Sequence, residues 1–134
     1  MKTFFITTLI ALISSVSLAA GQFSQKDAKD VAVQYMRATP DYGIKAGDSI
    51  RLGKADSLEL TREYMTQQIS WIGPHNKATK KFQDFIAEMD RNPTLQVFYI
   101  SLRTGSGDTL ASTDFIVKLG LMNGKVTTEV VPYL

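Results

Sequence analysis

His75 is the only histidine in the chain and lies in the run Gly73-Pro74-His75-Asn76. To bind a metal or act as a base it would need carboxylate or nucleophile partners brought from elsewhere, because no Asp or Glu lies within eight residues on either side. It reads as a turn residue between two helices. Asp114 is the second catalytic candidate: it precedes Phe115-Ile116-Val117 in an apolar strand and shares its parity with Lys118. A carboxylate lining an apolar cavity can serve as a general base, whereas the same residue at a sheet edge or facing solvent does no chemistry. Tyr35 and Tyr64 fall on apolar helix stripes and read as core residues with satisfied hydroxyls, and Trp71, beside Ile69 and Ile72, is expected to pack, with binding as its alternative. Lys77, Lys80 and Lys81 form the one local basic cluster, which reads as the solvated face of a helix. They are too few for the basic stripe with aromatic platforms that nucleic acid requires. The chain has no P-loop, no G-x-G-x-x-G, no G-x-S-x-G and no H-E-x-x-H, and nothing in it implies a cofactor or a metal.

The segment that precedes these residues sets their compartment. Lys2 supplies a positive start, Phe4 to Leu18 is apolar and uncharged, and small residues gather at Ser17, Ala19, Ala20 and Gly21. This is the pattern of a cleaved export signal over residues 1–21, with cleavage after Ala19 or after Gly21, the latter leaving Gln22 as a cyclisable amino terminus. An uncleaved signal anchor is the competing reading, since the apolar run approaches the roughly 20 residues that span a bilayer. Residues 22–134 form a single domain, long enough to bury one core without staples. The chain has no cysteine, which excludes disulfides, thiolate metal sites and a lipidated cysteine. Its one near-sequon, Asn92-Pro93-Thr94, carries proline in the forbidden position. These features point to a bacterial periplasmic or secreted protein with no membrane anchor after processing. With 15 Lys and Arg against 13 Asp and Glu, the near-neutral charge implies no nucleic-acid partner.

The residues that could do chemistry depend on elements legible in the pattern. Ser24 and Asp27 form a capping box for a helix buried through Ala28, Val31, Ala32, Tyr35 and Met36, which Thr39-Pro40 ends. Ser49 to Lys54 alternates as a short strand. Asp56 and Ser57 are candidate caps for a helix with Leu60, Tyr64, Met65, Ile69 and Ile72 on one stripe, ending at Gly73-Pro74. Asn76 caps the next helix, buried through Ala78, Phe82, Phe85, Ile86 and Met89 and ended by Asn92-Pro93. The period then changes to two, giving strands at Leu95–Arg103, Thr109–Leu121 and Lys125–Val131, with Gly105-Ser106-Gly107-Asp108 as the first connection. Asn123-Gly124 predicts a type I′ turn, whose register pairs Leu121 with Val126, Leu119 with Thr128 and Val117 with Val130, and sets Lys118 across from Glu129. The fold class is α+β: an N-terminal helix, a short strand, two helices and a three-stranded antiparallel meander packed against them.

In the strand Leu95–Arg103 both parities are apolar, with Phe98, Ile100 and Leu102 on one and Leu95, Val97 and Tyr99 on the other. A half-solvated antiparallel strand alternates with polar residues, so the second face, Phe98, Ile100 and Leu102, needs a cover. The chain's own helices are one cover; a homodimer, an envelope protein partner or a small apolar ligand are the others.

The order of elements, together with Asp48-Ser49-Ile50-Arg51-Leu52-Gly53-Lys54-Ala55-Asp56-Ser57, resembles small exported bacterial domains of unknown function with a cystatin-like or nuclear-transport-factor-2-like fold. Cystatin inhibitors carry a Gln-x-Val-x-Gly hairpin, and Gln96-Val97-Phe98-Tyr99-Ile100 departs from it. Similarity to the second group implies a cone-shaped cavity in which Asp114 would be the general base. The missing catalytic motifs and the unpaired His75 make the expected function a small exported non-catalytic binding or interaction domain, with such a cavity enzyme as the alternative.

Overall fold

The computed structural model describes residues 7–9, 23–45, 48–106 and 109–133, with the backbone alone at 7–9, 51–56, 105–106 and 109–111. Of residues 1–21, read from the sequence as an export signal, only Thr7–Leu9 (β1) falls within this range, and the expected cleavage positions at Ala19 and Gly21 lie outside it.

Helix α1 spans Gln25–Ala38. Its capping box forms as the sequence predicts, with the Asp27 amide donating to Ser24 Oγ at 3.1 Å and the Ser24 amide donating to Asp27 Oδ2 at 2.9 Å. Proline at 40 stops it, and a single 3-10 turn, Pro40–Tyr42, closes on Gly43, whose φ of 63° suits a residue without a Cβ. The predicted short strand is longer than its alternation suggests: β2 runs over Ile50–Glu59, with a register shift between Leu52 and Ser57. Asp56 and Ser57 consequently lie within the strand, ahead of the helix they were expected to open. A cap is worth about 1 kcal/mol, and continued pairing of Ser57, Leu58 and Glu59 with Ile100, Tyr99 and Phe98 outweighs it. Leu60 leaves the predicted helix stripe for the same reason, its amide donating to Val97 O at 2.7 Å.

Helix α2 (Arg62–Ile72) starts instead at Thr61, whose Oγ1 accepts from the Tyr64 amide at 3.1 Å. Helix α3 (Lys77–Arg91) is capped by Asn76, as expected. Three strands then follow, β3 (Gln96–Ser106), β4 (Thr109–Met122) and β5 (Lys125–Pro132). Gly105 and Ser106, expected in the first connection, are part of β3 and pair with Leu110 and Thr109. Asn123 and Gly124 have φ of 54° and 76°, and the predicted register holds at Leu121–Val126, Leu119–Thr128, Val117–Val130 and Lys118–Glu129.

The fold is α+β with three helices and an antiparallel sheet, but the sheet is not a three-stranded meander. β2 joins it beside β3, so β5, β4, β3 and β2 lie in that order, and β1 adds three paired residues along the outer edge of β5. Helices cover both faces. On one face α1 buries Phe98, Ile100, Leu102, Phe115, Val117, Leu119 and Val130 against Val31, Tyr35 and Met36. On the other, α2 and α3 bring Met65 and Phe85 onto Val97 and Ile116. Each fully buried side chain of this kind contributes roughly 1.5–3 kcal/mol.

Two polar devices fix the layers. The Gln96 side chain takes both backbone groups of Phe23, accepting from its amide at 2.6 Å and donating to its carbonyl at 3.0 Å, which ties the entry of α1 to the sheet. On the opposite face Lys118, only 12% exposed, donates to Glu88 of α3 at 2.9 Å, lies 3.4 Å from Glu129 of β5 and sits over the Phe85 ring at 5.1 Å. Among the described residues no buried side-chain polar atom lacks a partner.

Candidate functional site

Asp114 lies on the sheet face that carries α2 and α3, directly across from Ser101 of β3. The buried Ser101 Oγ donates to Asp114 Oδ1 at 2.6 Å, and the Tyr133 amide donates to the Asp114 carbonyl at 2.9 Å. Close by in the register, the rings of Tyr99 and Tyr133 meet edge to face at 5.8 Å, and Lys81 of α3 places its ammonium 4.3 Å from the centre of the Tyr133 ring. The carboxylate is thus half-buried and occupied by a serine, neither at an edge nor fully solvated. No tyrosine hydroxyl and no imidazole is hydrogen-bonded to it among the described residues. A general base requires the proton it removes within hydrogen-bond reach, and the serine hydroxyl that holds this reach is buried within the sheet. His75 occupies the exposed turn between α2 and α3, with no hydrogen bond or ion pair among the described residues. The structure does not bring the two catalytic candidates into one constellation. Among the described residues no group of three or more His, Cys, Asp or Glu could hold a metal.

The three residues expected to need a cover, Phe98, Ile100 and Leu102, are fully buried beneath α1. Their cover is the chain's own helix, so the apolarity of β3 on both parities reflects a sheet with helices on each side. Tyr35 is a core residue, as read from its stripe, and meets Tyr42 and Phe115 edge to face at 6.2 and 5.7 Å. Burial, reinforced by Tyr35, pushes the Tyr42 phenol up to about 12.

Trp71 departs from its expectation. It is 75% exposed and packs on nothing in the core, with Ile72 beside it at 38%. The helical period explains Trp71, because Met65 marks the buried face of α2 and Trp71, six residues beyond it, points about 120° away, while Ile72, expected on the buried stripe, is exposed at the helix end. Proximity in sequence to two isoleucines was a poor guide; the angle around the helix was the signal available.

The end that presents Trp71 is held by several hydrogen bonds. The Gly73 amide donates to Ile69 O at 3.1 Å, and Thr79, almost fully buried, donates from Oγ1 to Gly73 O at 2.6 Å. Asn76 Oδ1 accepts from the Ala78 amide at 2.8 Å. Lys77, Lys80 and Lys81 open α3 immediately after this turn, Lys80 lying 3.4 Å from Asp84 and Lys77 exposed. Between Glu63 and Asp84 the chain carries no acidic residue. An exposed indole and isoleucine therefore lie at the same hairpin end as His75 and the exposed lysines Lys77 and Lys80. Among the described residues no helix is long and apolar enough to cross a membrane. No protein-family model matches the chain, no curated protein matches it, and no solved structure matches it.

Proposed function

We propose that this chain is a small exported, non-catalytic binding or interaction domain that engages its partner through the end of the α2–α3 hairpin. The observation that carries this reading is Trp71, the sole tryptophan of the chain, held 75% exposed on a turn fixed by hydrogen bonds. Leaving an indole three-quarters exposed, with a partly exposed isoleucine beside it, forgoes burial worth roughly 1.5–3 kcal/mol in all, a sizeable share of a small domain's net stability. Binding recovers that term. The catalytic candidate Asp114 accepts from Ser101 through Oδ1, with no imidazole beside it among the described residues to complete a catalytic pair. Export follows from the N-terminal segment read above.

Site-specific photo-crosslinking in the protein's own cell envelope tests this. A benzophenone amino acid at position 71 is expected to capture a protein or lipid adduct, and the same group at Lys26, on the exposed side of α1, is not. Equal or absent capture at the two positions sinks the reading.

A further inference from the structure

The hairpin end has a composition that discriminates among partners. Its apolar part is one indole and one isoleucine, too small for a stable protein–protein interface core, which buries about 800 Å² on each side. Its polar part carries the exposed lysines Lys77 and Lys80 with no acidic residue between Glu63 and Asp84, the residue that Lys80 partners at 3.4 Å. Tryptophan beside lysines, presented at the projecting end of a helical hairpin, matches a bilayer surface, where the indole settles at headgroup depth and ammonium groups meet anionic headgroups. Resting on the binding reading above, we propose that the end of the α2–α3 hairpin docks peripherally on an anionic phospholipid surface, with Trp71 and Ile72 entering the interface and Lys77 and Lys80 supplying the charge. An aqueous polyanion lacks any use for Trp71 and Ile72. A neutral bilayer lacks any use for the lysines.

Trp71 is its own reporter, since no other tryptophan contributes to the emission. Adding vesicles of phosphatidylglycerol mixed with phosphatidylcholine to the mature protein is expected to shift its fluorescence to the blue and to carry the protein into the vesicle pellet. Phosphatidylcholine vesicles alone are expected to do neither. High salt reverses the effect by screening the lysines. Each lysine near an anionic surface contributes about 1 kcal/mol, so the double variant Lys77→Gln/Lys80→Gln is expected to lower partitioning roughly thirtyfold. Trp71→Ala lowers it further in the pelleting assay, while Lys26→Gln leaves it unchanged; matching melting curves for all variants separate loss of docking from loss of fold. Absence of binding to the anionic vesicles, equal binding to both vesicle types, or a blue shift of the same size with a soluble polyanion such as heparin each overturns the proposal. Failure here with a protein adduct still captured at position 71 removes the lipid and keeps the binding domain; failure with no capture removes both.

Discussion

Gln96 and Tyr42 illustrate how single side chains hold this molecule together. The Gln96 amide reproduces, from a side chain, the pair of hydrogen bonds a neighbouring strand would give to Phe23, whose ring is buried under α1. Gln96→Ala is expected to lower stability by about 1–3 kcal/mol, since two partly buried backbone groups lose their partner. Urea denaturation at constant m-value measures it, and an unchanged midpoint would show that water replaces the clamp. Tyr42 gives a pH signature. Its folded phenol titrates at about 12, raised mainly by burial and further by Tyr35, against an ordinary value of 10.0. The unfolded chain therefore loses this proton first. The stability linked to Tyr42 is fully present below pH 10 and is lost as pH rises towards 12. Melting temperatures across this window are expected to fall more steeply for the natural chain than for Tyr42→Phe; parallel slopes would place the phenol in water.

Helix α3 carries two opposed demands. Its buried face, with Phe85 against the sheet and Lys118 of β4 paired to Glu88, anchors the helix firmly. Its first turn, however, contains no acidic residue and opens with Lys77, so a cation sits where the helix dipole is positive. Lys77→Glu is expected to raise stability by about 0.5–1 kcal/mol through that dipole. If the hairpin end docks on anionic lipid, the same substitution weakens vesicle binding. A gain in melting temperature accompanied by a loss of pelleting is the expected pair of results. Weakened binding without the stability gain would mean that the local field is already screened.

For the molecule as a whole, the decisive fact is that helices lie on both faces of the sheet. Ile100 is fully buried within the single chain, so the apolarity of its strand gives no reason to expect a second copy. Ile100→Ala is expected to cost about 2–5 kcal/mol, as a cavity in a core that relaxes only in part. Ile100→Glu is expected to lose the cooperative thermal transition altogether. Light scattering combined with circular dichroism distinguishes this from dissociation: a folded, smaller species after Ile100→Glu would reveal an interface where the structure has a core.

Local interactions were legible in the sequence because they need only neighbours. The Ser24–Asp27 box, the Asn76 cap and the Asn123-Gly124 turn with its Lys118–Glu129 pair all follow from residue type and spacing within a few positions. The turn even transmits its register along the hairpin, since a period of two leaves one alignment that buries the apolar set. Contacts between distant segments were not legible. Nothing near Ser57 announces that it will pair with Ile100, so the length of β2 and its place in the sheet were decided by β3. Nothing near Gln96 announces Phe23, which is 73 residues away, and nothing near Asp114 selects Ser101 on the neighbouring strand as its partner. The sequence by itself determined an α+β chain, the starts of α1 and α3 but not of α2, its last hairpin and a strand that needed cover on both faces. Tertiary structure decided what that cover is and left Trp71 in solvent, because each outcome depends on which faces the assembled layers consume.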